Sequence, residues 1–389
     1  MAMLPGGIAK GQTYKALYDK YGGCDYPMAR VELAGKAFEK NAKQEAFIHD
    51  IYIDLSCGFE ASMARFRIYD VYDIPTGKYK YDQVKDRVLL GASLKIWIGY
   101  SYRFEHVFTG FVASVDFGFE EDGIAYIEVT GMDAKGVMMA SSYAAQLTAK
   151  SYGEAVREVL RRTAYEKMKT SEIISQIAVS DTPDKQQGGG KKASAETIEM
   201  VSESDYEFIM KAAKKFNYEF FVDRGKVIFR KARSETQTLL SIGVGQGVLD
   251  WRLGYSLTGM VEQIEVRSLD PGQGKVVRAK GSYKGNLSTG GKAKALIKGS
   301  RRVYIDPTVF SQEQANARLD SLMTQMSYRL GTLECSCVGL PEYVPGRFCE
   351  VAVGGPCDNS FYITNVRHEF TMNGVYKTFL TGQADTVRK

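Results

Sequence analysis

Residues 346–382 read GRFCEVAVGGPCDNSFYITNVRHEFTMNGVYKTFLTG, and residues 91–131 repeat their pattern as GASLKIWIGYSYRFEHVFTGFVASVDFGFEEDGIAYIEVTG. Glycines and apolar residues match in two blocks, each at a constant offset. The matched pairs are Gly91 with Gly346, Ile96 with Val351, Ile98 with Val353, Gly99 with Gly354, Val112 with Ile363, Val115 with Val366, Phe119 with Phe370, Val129 with Leu380, Thr130 with Thr381 and Gly131 with Gly382. The pattern predicts a duplicated β module, with one copy near each end of the chain.

Each copy is predicted to form a strand, a linker and a hairpin. The hairpin turns would be Asp122-Gly123 and Asn373-Gly374, dipeptides that accept the positive φ angles of a two-residue type I′ turn. The alternative is a chance match, because any two β meanders share Gly, Val and Thr at some offset.

Composition limits the class of protein. The chain has 389 residues, of which 44% are hydrophobic and 25% are charged, as in a globular protein of two or three domains. No run approaches the ~20 apolar residues of a membrane span, and the N-terminus lacks the apolar core of a signal peptide. We therefore expect cytoplasmic synthesis and no membrane anchoring. A net charge of +5, dispersed along the chain, gives no reason to expect specific nucleic acid recognition.

Residues that could carry chemistry do not form a catalytic pattern. The six cysteines are scattered and are predicted to be free thiols, and Cys335-Ser-Cys337 lacks the second ligand pair of a zinc site. The acidic residues 120–122 are predicted to be a solvated hairpin tip. His368, which lies in a strand, is expected to be a partnered structural histidine. We expect no metal, no cofactor and no enzyme activity.

The chain divides into four predicted parts. Residues 1–28 would be an N-terminal arm with little core of its own, able to lie across a neighbour. Residues 29–140 would form the first β-barrel domain, including a polar loop at 74–84. Residues 141–233 would form an α+β insert with a flexible loop at 181–195. Residues 234–389 would form the second β-barrel domain, with strands at 247–253 and 260–269, a hairpin excursion or mobile loop at 271–300 and a helix at 311–330.

Two helices of the insert are predicted from local signals. A helix beginning near Ser151 would present Glu154 and Glu158 to the neighbouring arginines on a solvated face. A second helix would begin with a capping box of Ser204 and Glu207. Its end would be Asn217, a residue that tolerates the left-handed conformation, and a hairpin over residues 218–231 would follow.

Three pieces of the chain, in this order, resemble one known family. They are Gly91 to Gly99 followed by Phe108-Thr-Gly110-Phe, then Ser204-Asp205 followed by Tyr-Glu-Phe208-Ile-Met-Lys-Ala-Ala, then Ser311-Gln-Glu-Gln-Ala with Gly339-Leu-Pro, Pro345-Gly346 and Val366-Arg-His368. They resemble motifs of the baseplate hub proteins of contractile phage tails and injection machines. That family includes the late-control gene D proteins and the N-terminal hub part of VgrG.

The resemblance implies a mainly β homotrimer. Each chain would supply two similar antiparallel β-barrel tube domains plus smaller α/β domains, so that three chains form a trimeric pseudo-sixfold ring. The hub would adapt a sixfold tail tube protein to a separate trimeric spike protein, contact tape measure and baseplate wedge proteins, and pass through the target envelope on contraction. It would be made in the bacterial cytoplasm and assembled into the baseplate of a virion or tail-like particle.

The chain also departs from that family. Asn217 stands where the family helix usually ends in Gly, and the sequence stops soon after Gly382, whereas VgrG continues into an oligosaccharide-binding-type fold and a β-helical spike. A spike on another polypeptide is therefore expected. We further expect residues 118–122 and 370–373 to occupy equivalent ring positions. The alternative function is a carbohydrate- or surface-binding multi-barrel adhesin.

Overall fold

A computed structural model describes residues 11–37, 47–121, 124–184, 198–270, 274–287, 292–307, 309, 311–371 and 374–388. The chain is mainly β, as predicted. The elements of the first part are β1 (Gln12–Thr13), α1 (Tyr14–Lys20), β2 (Pro27–Leu33), β3 (Lys36–Ala37), β4 (Phe47–Ser56), β5 (Met63–Tyr69), β6 (Tyr72–Asp73), β7 (Lys78–Tyr79), α2 (Asp82–Arg87), β8 (Ser93–Tyr100), β9 (Arg103–Phe119), β10 (Ala125–Met132) and α3 (Lys135–Met138).

The remaining elements follow in chain order. Those of the insert are β11 (Ser142–Leu147), α4 (Tyr152–Val159), α5 (Thr163–Thr170), β12 (Gln176–Val179), β13 (Ile198–Ser204), α6 (Asp205–Phe216), β14 (Tyr218–Asp223) and β15 (Lys226–Lys231). Those of the last part are β16 (Thr238–Val244), β17 (Gly247–Tyr255), β18 (Gln263–Asp270), β19 (Lys275–Ser282), α7 (Lys292–Leu296), β20 (Arg301–Ile305), α8 (Gln312–Ser327), β21 (Gly331–Val338), β22 (Arg347–Ala352), a 3-10 turn (Gly355–Cys357), β23 (Asn359–Phe370) and β24 (Tyr376–Ala384).

Six strands of the last part close into a barrel. Their order is β17-β21-β24-β23-β22-β16, and short pairing of β16 with β17 at Gly243 and Gly247 completes the circle. Alternate residues of β21 and β24 are buried, as the period of two in a strand requires when one face covers a core.

Six strands of the first part have the same neighbours in the same order, β4-β5-β10-β9-β8-β2. Numbered by chain order within each unit, both series run 2-3-6-5-4-1. We call these two sets the first and second six-strand units. One pairing differs in direction, because β2 is antiparallel to β8 whereas β16 is parallel to β22. Pairing of β2 with β4 is not seen among the described residues, which omit 38–46, so closure of a first barrel stays a prediction.

The register of the two units also agrees. Both hairpins contain a bulge in their first strand, at Ala113 in β9 and Thr364 in β23. These two positions correspond in the sequence alignment that matches Val129 with Leu380. A chance resemblance of two meanders gives no reason for a shared bulge. The sequence repeat therefore corresponds to a repeated strand pairing with the same register.

The insert follows its predicted local signals. Ser204 caps α6 and shares a capping box with Glu207, while Asn217 ends the helix at φ 56°. Glu154 and Glu158 accept hydrogen bonds from the preceding backbone, and Arg157, one of the arginines predicted to pair with them, instead pairs with Asp181 at 2.6 Å. The predicted loop at 181–195 lies largely outside the described residues.

Residues between β17 and β21 form a separate layer rather than part of the second barrel. Strands β19, β18 and β20 make a three-stranded sheet, and α8 packs on it around Ile264, Val266 and Leu319. The assignment of residues 260–269 to the barrel was therefore wrong, since alternation alone does not say which sheet a strand joins. The predicted excursion at 271–300 contains β19 and α7.

Two other predictions needed correction. In the N-terminal arm, β1 pairs with β16 of the same chain, and Leu17 and Tyr21 are buried in the main core. The described part of the arm therefore lies on its own chain. The predicted polar loop at 74–84 contains β7 and the start of α2, whose Val84 is fully buried.

Candidate assembly interface

The two six-strand units are joined edge to edge by one strand pairing. Residues 51–56 of β4 run antiparallel to residues 365–370 of β23, and we call this pairing the internal joint. Val366 lies opposite Leu55 and His368 lies opposite Ile53. All four side chains are buried, so the joint is an apolar seam that continues the core from one unit to the other.

His368 is a titratable side chain on the buried face of the internal joint. Its Nε2 lies 3.3 Å from the carbonyl oxygen of Tyr343, which can only accept, so Nε2 carries the hydrogen. Its Nδ1 then accepts from the hydroxyls of Tyr376 at 2.8 Å and Thr378 at 3.2 Å. Burial lowers the pKa of His368 to about 4. The ring is therefore neutral at pH 7, and both of its nitrogens have hydrogen-bond partners.

Each unit also contains the counterpart of the strand that the other unit contributes to the internal joint, and the edges of these two counterparts are open. The counterpart of the β23 segment is residues 114–119, which we call the β9 edge, and the counterpart of the β4 segment is residues 251–256, which we call the β17 edge. Among the described strands, the β9 edge pairs only with β10, and the β17 edge pairs only with β21.

Large apolar side chains lie on these open edges. Phe117 and Phe119 are 60% and 68% exposed, and Trp251 is 36% exposed. All three are on the core face of their sheet, since Phe117 pairs with the buried Ile127 and Trp251 pairs with the buried Cys335. They are open to solvent because no described strand pairs with that side, whereas β4 covers the equivalent positions of β23. The ring of Tyr79 in β7 contacts Phe117 at a centroid distance of 6.3 Å but leaves it 60% exposed.

The glycines of the predicted barrel motif hold the strand geometry. Gly91 precedes β8 at φ 80°, and its N–H donates to the carbonyl of Val112 at 2.9 Å. Gly346 precedes β22 at φ 77°, and its N–H donates to the carbonyl of Ile363 at 2.8 Å. These matched contacts explain why both copies start with glycine.

Gly99, Phe108 and Gly110 belong to the β8–β9 pair. A Cβ on Gly99 would lie 1.8 Å from the carbonyl oxygen of Arg103, and one on Gly110 would lie 2.1 Å from that of Met132. Phe108 is 1% exposed and fills the core of the first unit. These residues therefore act through packing.

The predicted helix motif lies in the insert, away from the joint. Ser204 caps α6, and Phe208 is fully buried in the core of the insert. Asp205 accepts hydrogen bonds from Arg162 and, at 2.5 Å, from the Tyr165 hydroxyl. Burial, together with that hydrogen bond, raises the pKa of Tyr165. The carboxylate is thus occupied by structural partners, although a cleft of about 280 Å³ opens beside it.

A buried ionic network, which the sequence did not reveal, fixes the insert to the second unit. Arg230 donates from Nε to Glu219 at 2.6 Å and from Nη2 to the Gly346 carbonyl at 2.7 Å. The Tyr362 hydroxyl donates to the other carboxylate oxygen of Glu219. Burial raises the pKa of Glu219 despite the adjacent guanidinium.

The structure does not bring the ten predicted motif residues into one pocket. Val366 and His368 lie in the internal joint, Gly346 lies at the insert contact, Gly91, Gly99, Phe108 and Gly110 lie in the first unit, and Ser204, Asp205 and Phe208 lie in the insert. Sequence reasoning missed Phe117 and Trp251. Their only signal was an aromatic residue in a predicted strand, which is equally typical of a core position.

The described residues offer little for chemistry at a metal or thiol. No group of three or more His, Cys, Asp or Glu side chains among them could hold a metal ion. Cys335 and Cys337 lie on the same face of β21, with their Sγ atoms 3.8 Å apart. Burial raises the pKa of the Cys57 thiol to about 12, which keeps it protonated and unreactive at neutral pH.

A family comparison covers most of the chain. Residues 40–372 match the model of the Alg8 N-terminal domain. The chain belongs to the Alg8 N-terminal domain family. A comparison with curated proteins gives no match. Within the part of the chain that the structure describes, no helix has the length and apolar character needed to span a membrane.

Solved structures with this fold come from phage tails and a secretion system. The 43 kDa tail protein of prophage MuSo2 from Shewanella oneidensis aligns with a TM-score of 0.63 at 14% identity, over 92% of this chain and 98% of that chain. The tail protein from Neisseria meningitidis MC58 aligns with a TM-score of 0.62 at 13% identity, over 92% and 97%. The E. coli c3393 protein, a type VI secretion component similar in structure to the T4 bacteriophage tail proteins gp27 and gp5, gives 0.51 at 10% identity, over 92% and 77%. This family member therefore has a tail-protein fold.

Proposed function

We propose that this chain is the structural baseplate hub of a contractile tail or injection machine. Three copies form a ring that adapts a sixfold tail tube to a threefold spike and travels through the target envelope on contraction. Tape measure and wedge proteins are further partners. The role is mechanical and not catalytic.

The observation that carries the proposal is the repeated six-strand unit. Two units with one strand order, one register and one bulge give each chain two equivalent segments. Three chains then present six segments, so one assembly offers both sixfold and threefold contacts. The shared fold with phage tail proteins supports the same role.

The mass of the assembly tests this proposal. Native mass spectrometry of the purified chain should give a trimer of 43.2 kDa subunits, about 130 kDa. The same measurement on mixtures with the tube and spike proteins encoded beside this chain should give complexes with each. A monomer that binds neither protein but binds glycans on an array would favour the adhesin, and lysis zones in zymography would reveal a hydrolase.

A further inference from the structure

The two open edges correspond to the two strands of the internal joint. We propose that the β9 edge of one copy pairs antiparallel with the β17 edge of a second copy, in the register of the internal joint. This pairing rests on the proposed trimeric hub and names the strands through which its subunits associate.

The register follows from equivalences within the chain. Ile53 of β4 and Leu253 of β17 are equivalent, because each lies two strands across from one of the aligned glycines. The pairings run Gly131, Ala64, Ile53 in the first unit and Gly382, Leu333, Leu253 in the second. On the other strand, Val115 is aligned with Val366, so Phe117 takes the position of His368.

Carrying the joint's register over gives three core-face pairs between copies. Because His368 lies opposite Ile53, Phe117 of one copy lies opposite Leu253 of the second. The pairs on either side are Phe119 with Trp251 and Val115 with Tyr255. Aromatic and aliphatic side chains directly opposite each other in a sheet stabilise the strand pair.

Side-chain burial at the internal joint indicates how far this pairing would bury the side chains of the open edges. Ile51 is 1% exposed beneath β23, whereas its counterpart on the β17 edge, Trp251, is 36% exposed. Ile53 is fully buried, whereas its counterpart Leu253 is only partly buried. Phe119 is 68% exposed. A second copy would cover these side chains with an apolar strand of the same kind, so each open edge is complementary to the other.

Charge on the opposite face is compatible with the same register. Gly118 would lie opposite Arg252, and Asp116 opposite Gly254. Asp116 would then be the diagonal neighbour of Arg252, within reach of its long side chain. At the internal joint the corresponding face carries Arg367 opposite Asp54, so both joints place opposite charges on this face.

A cysteine pair tests the register. The double variant F117C with L253C should give a disulfide-linked trimer on mild oxidation, with the 117–253 bridge identified by peptide mass spectrometry. The control F117C with R252C places the second thiol on the other face of β17, so it should link far less. The native cysteines are common to both variants and are distinguished by the same peptide mapping.

The outcomes separate this inference from the proposed function. A trimer in native mass spectrometry with no 117–253 bridge, or with equal linking in the control, would overturn the register but leave the hub. A monomer that binds no tail protein would remove both. Hydrogen exchange on the wild-type chain tests the same pairing without substitutions, in case the cysteine variants fail to fold. Amides of residues 114–119 and 251–256 should gain protection as the assembly forms, and unchanged exchange there contradicts the pairing.

Discussion

Protonation of His368 should destabilise the second six-strand unit at mildly acid pH. The imidazole is buried between Tyr343 and Tyr376, and its pKa falls from 6.5 to about 4 because burial disfavours the charged ring. A lowered folded pKa means that the unfolded chain binds the proton more tightly. The stabilisation is therefore complete above pH 6.5 and is lost as pH falls from 6.5 towards 4.

The size of this effect follows from the two pKa values. Each pKa unit corresponds to 1.4 kcal/mol, so the complete loss is about 3 kcal/mol and the loss at pH 5 is about 2 kcal/mol. Buried Asp133 and Glu219 have raised pKa values and act in the opposite direction, since the fold favours their protonated forms. When the pH dependence of stability is compared with that of a variant that lacks His368, the contributions of Asp133 and Glu219 cancel.

Urea unfolding at pH 7 and pH 5 provides the assay. Trp97 and Trp251 are the chain's two tryptophans, so W97F leaves Trp251 in β17 as the reporter of the second unit. In that background, H368Q should be less stable at pH 7 but should lose about 2 kcal/mol less than its parent on acidification.

A second variant distinguishes the titration of His368 from a general packing defect. Y376F removes the hydroxyl that donates to Nδ1 and so favours the neutral ring. Its loss should raise the pKa of His368 and reduce the acid sensitivity in part. The reasoning is refuted if the parent and H368Q lose the same free energy of unfolding between pH 7 and pH 5.

Three further substitutions test packing and capping by urea unfolding. S204A removes the α6 cap and should cost about 1 kcal/mol, whereas an unchanged unfolding free energy would mean that Glu207 alone satisfies the helix end. R230M leaves Glu219 buried without its cation and should cost about 3–5 kcal/mol at pH 8. The loss should become smaller as pH falls, because burial raises the pKa of Glu219 and favours its protonated form, and a pH-independent loss would contradict this. G110A forces a Cβ against the Met132 carbonyl and should cost about 1–3 kcal/mol, so a neutral effect would show that β9 and β10 can separate freely.

Signals confined to a few neighbouring residues were sufficient for several local features. The capping box of Ser204 and Glu207 and the left-handed Asn217 depend on backbone geometry within one turn. The module repeat was also visible, because aligned residues keep their pairing partners in both units. Fold class and these helix ends were therefore predictable.

Features set by distant pairing were not predictable. The alternation of apolar and polar residues in 260–269 fits a separate three-stranded sheet as well as it fits a barrel. In the structure, the packing of α8 on this segment shows that it belongs to the separate sheet. Likewise, Glu219 and Arg230 face each other in the predicted hairpin, but the network depends on Gly346 and Tyr362 of the second unit, which are distant in sequence. Alternation says which face of a strand is apolar, but it does not say which of its two edges has a neighbour.

The proposed assembly would explain why two strand edges are exposed. A long open edge with apolar residues favours unwanted association, and natural sheets usually protect it with charge, proline or a short strand. Here the open edges are residues 114–119 of β9 and residues 251–256 beside β21, and their core-face positions carry Phe117, Phe119 and Trp251. The first unit has the open β9 edge and contributes β4 to the internal joint, and the second unit has the open β17 edge and contributes β23. The core-face positions of β4 and β23 are buried in that joint. The proposed use of one pairing within the chain and again between chains would account for both the repeat and the unprotected edges.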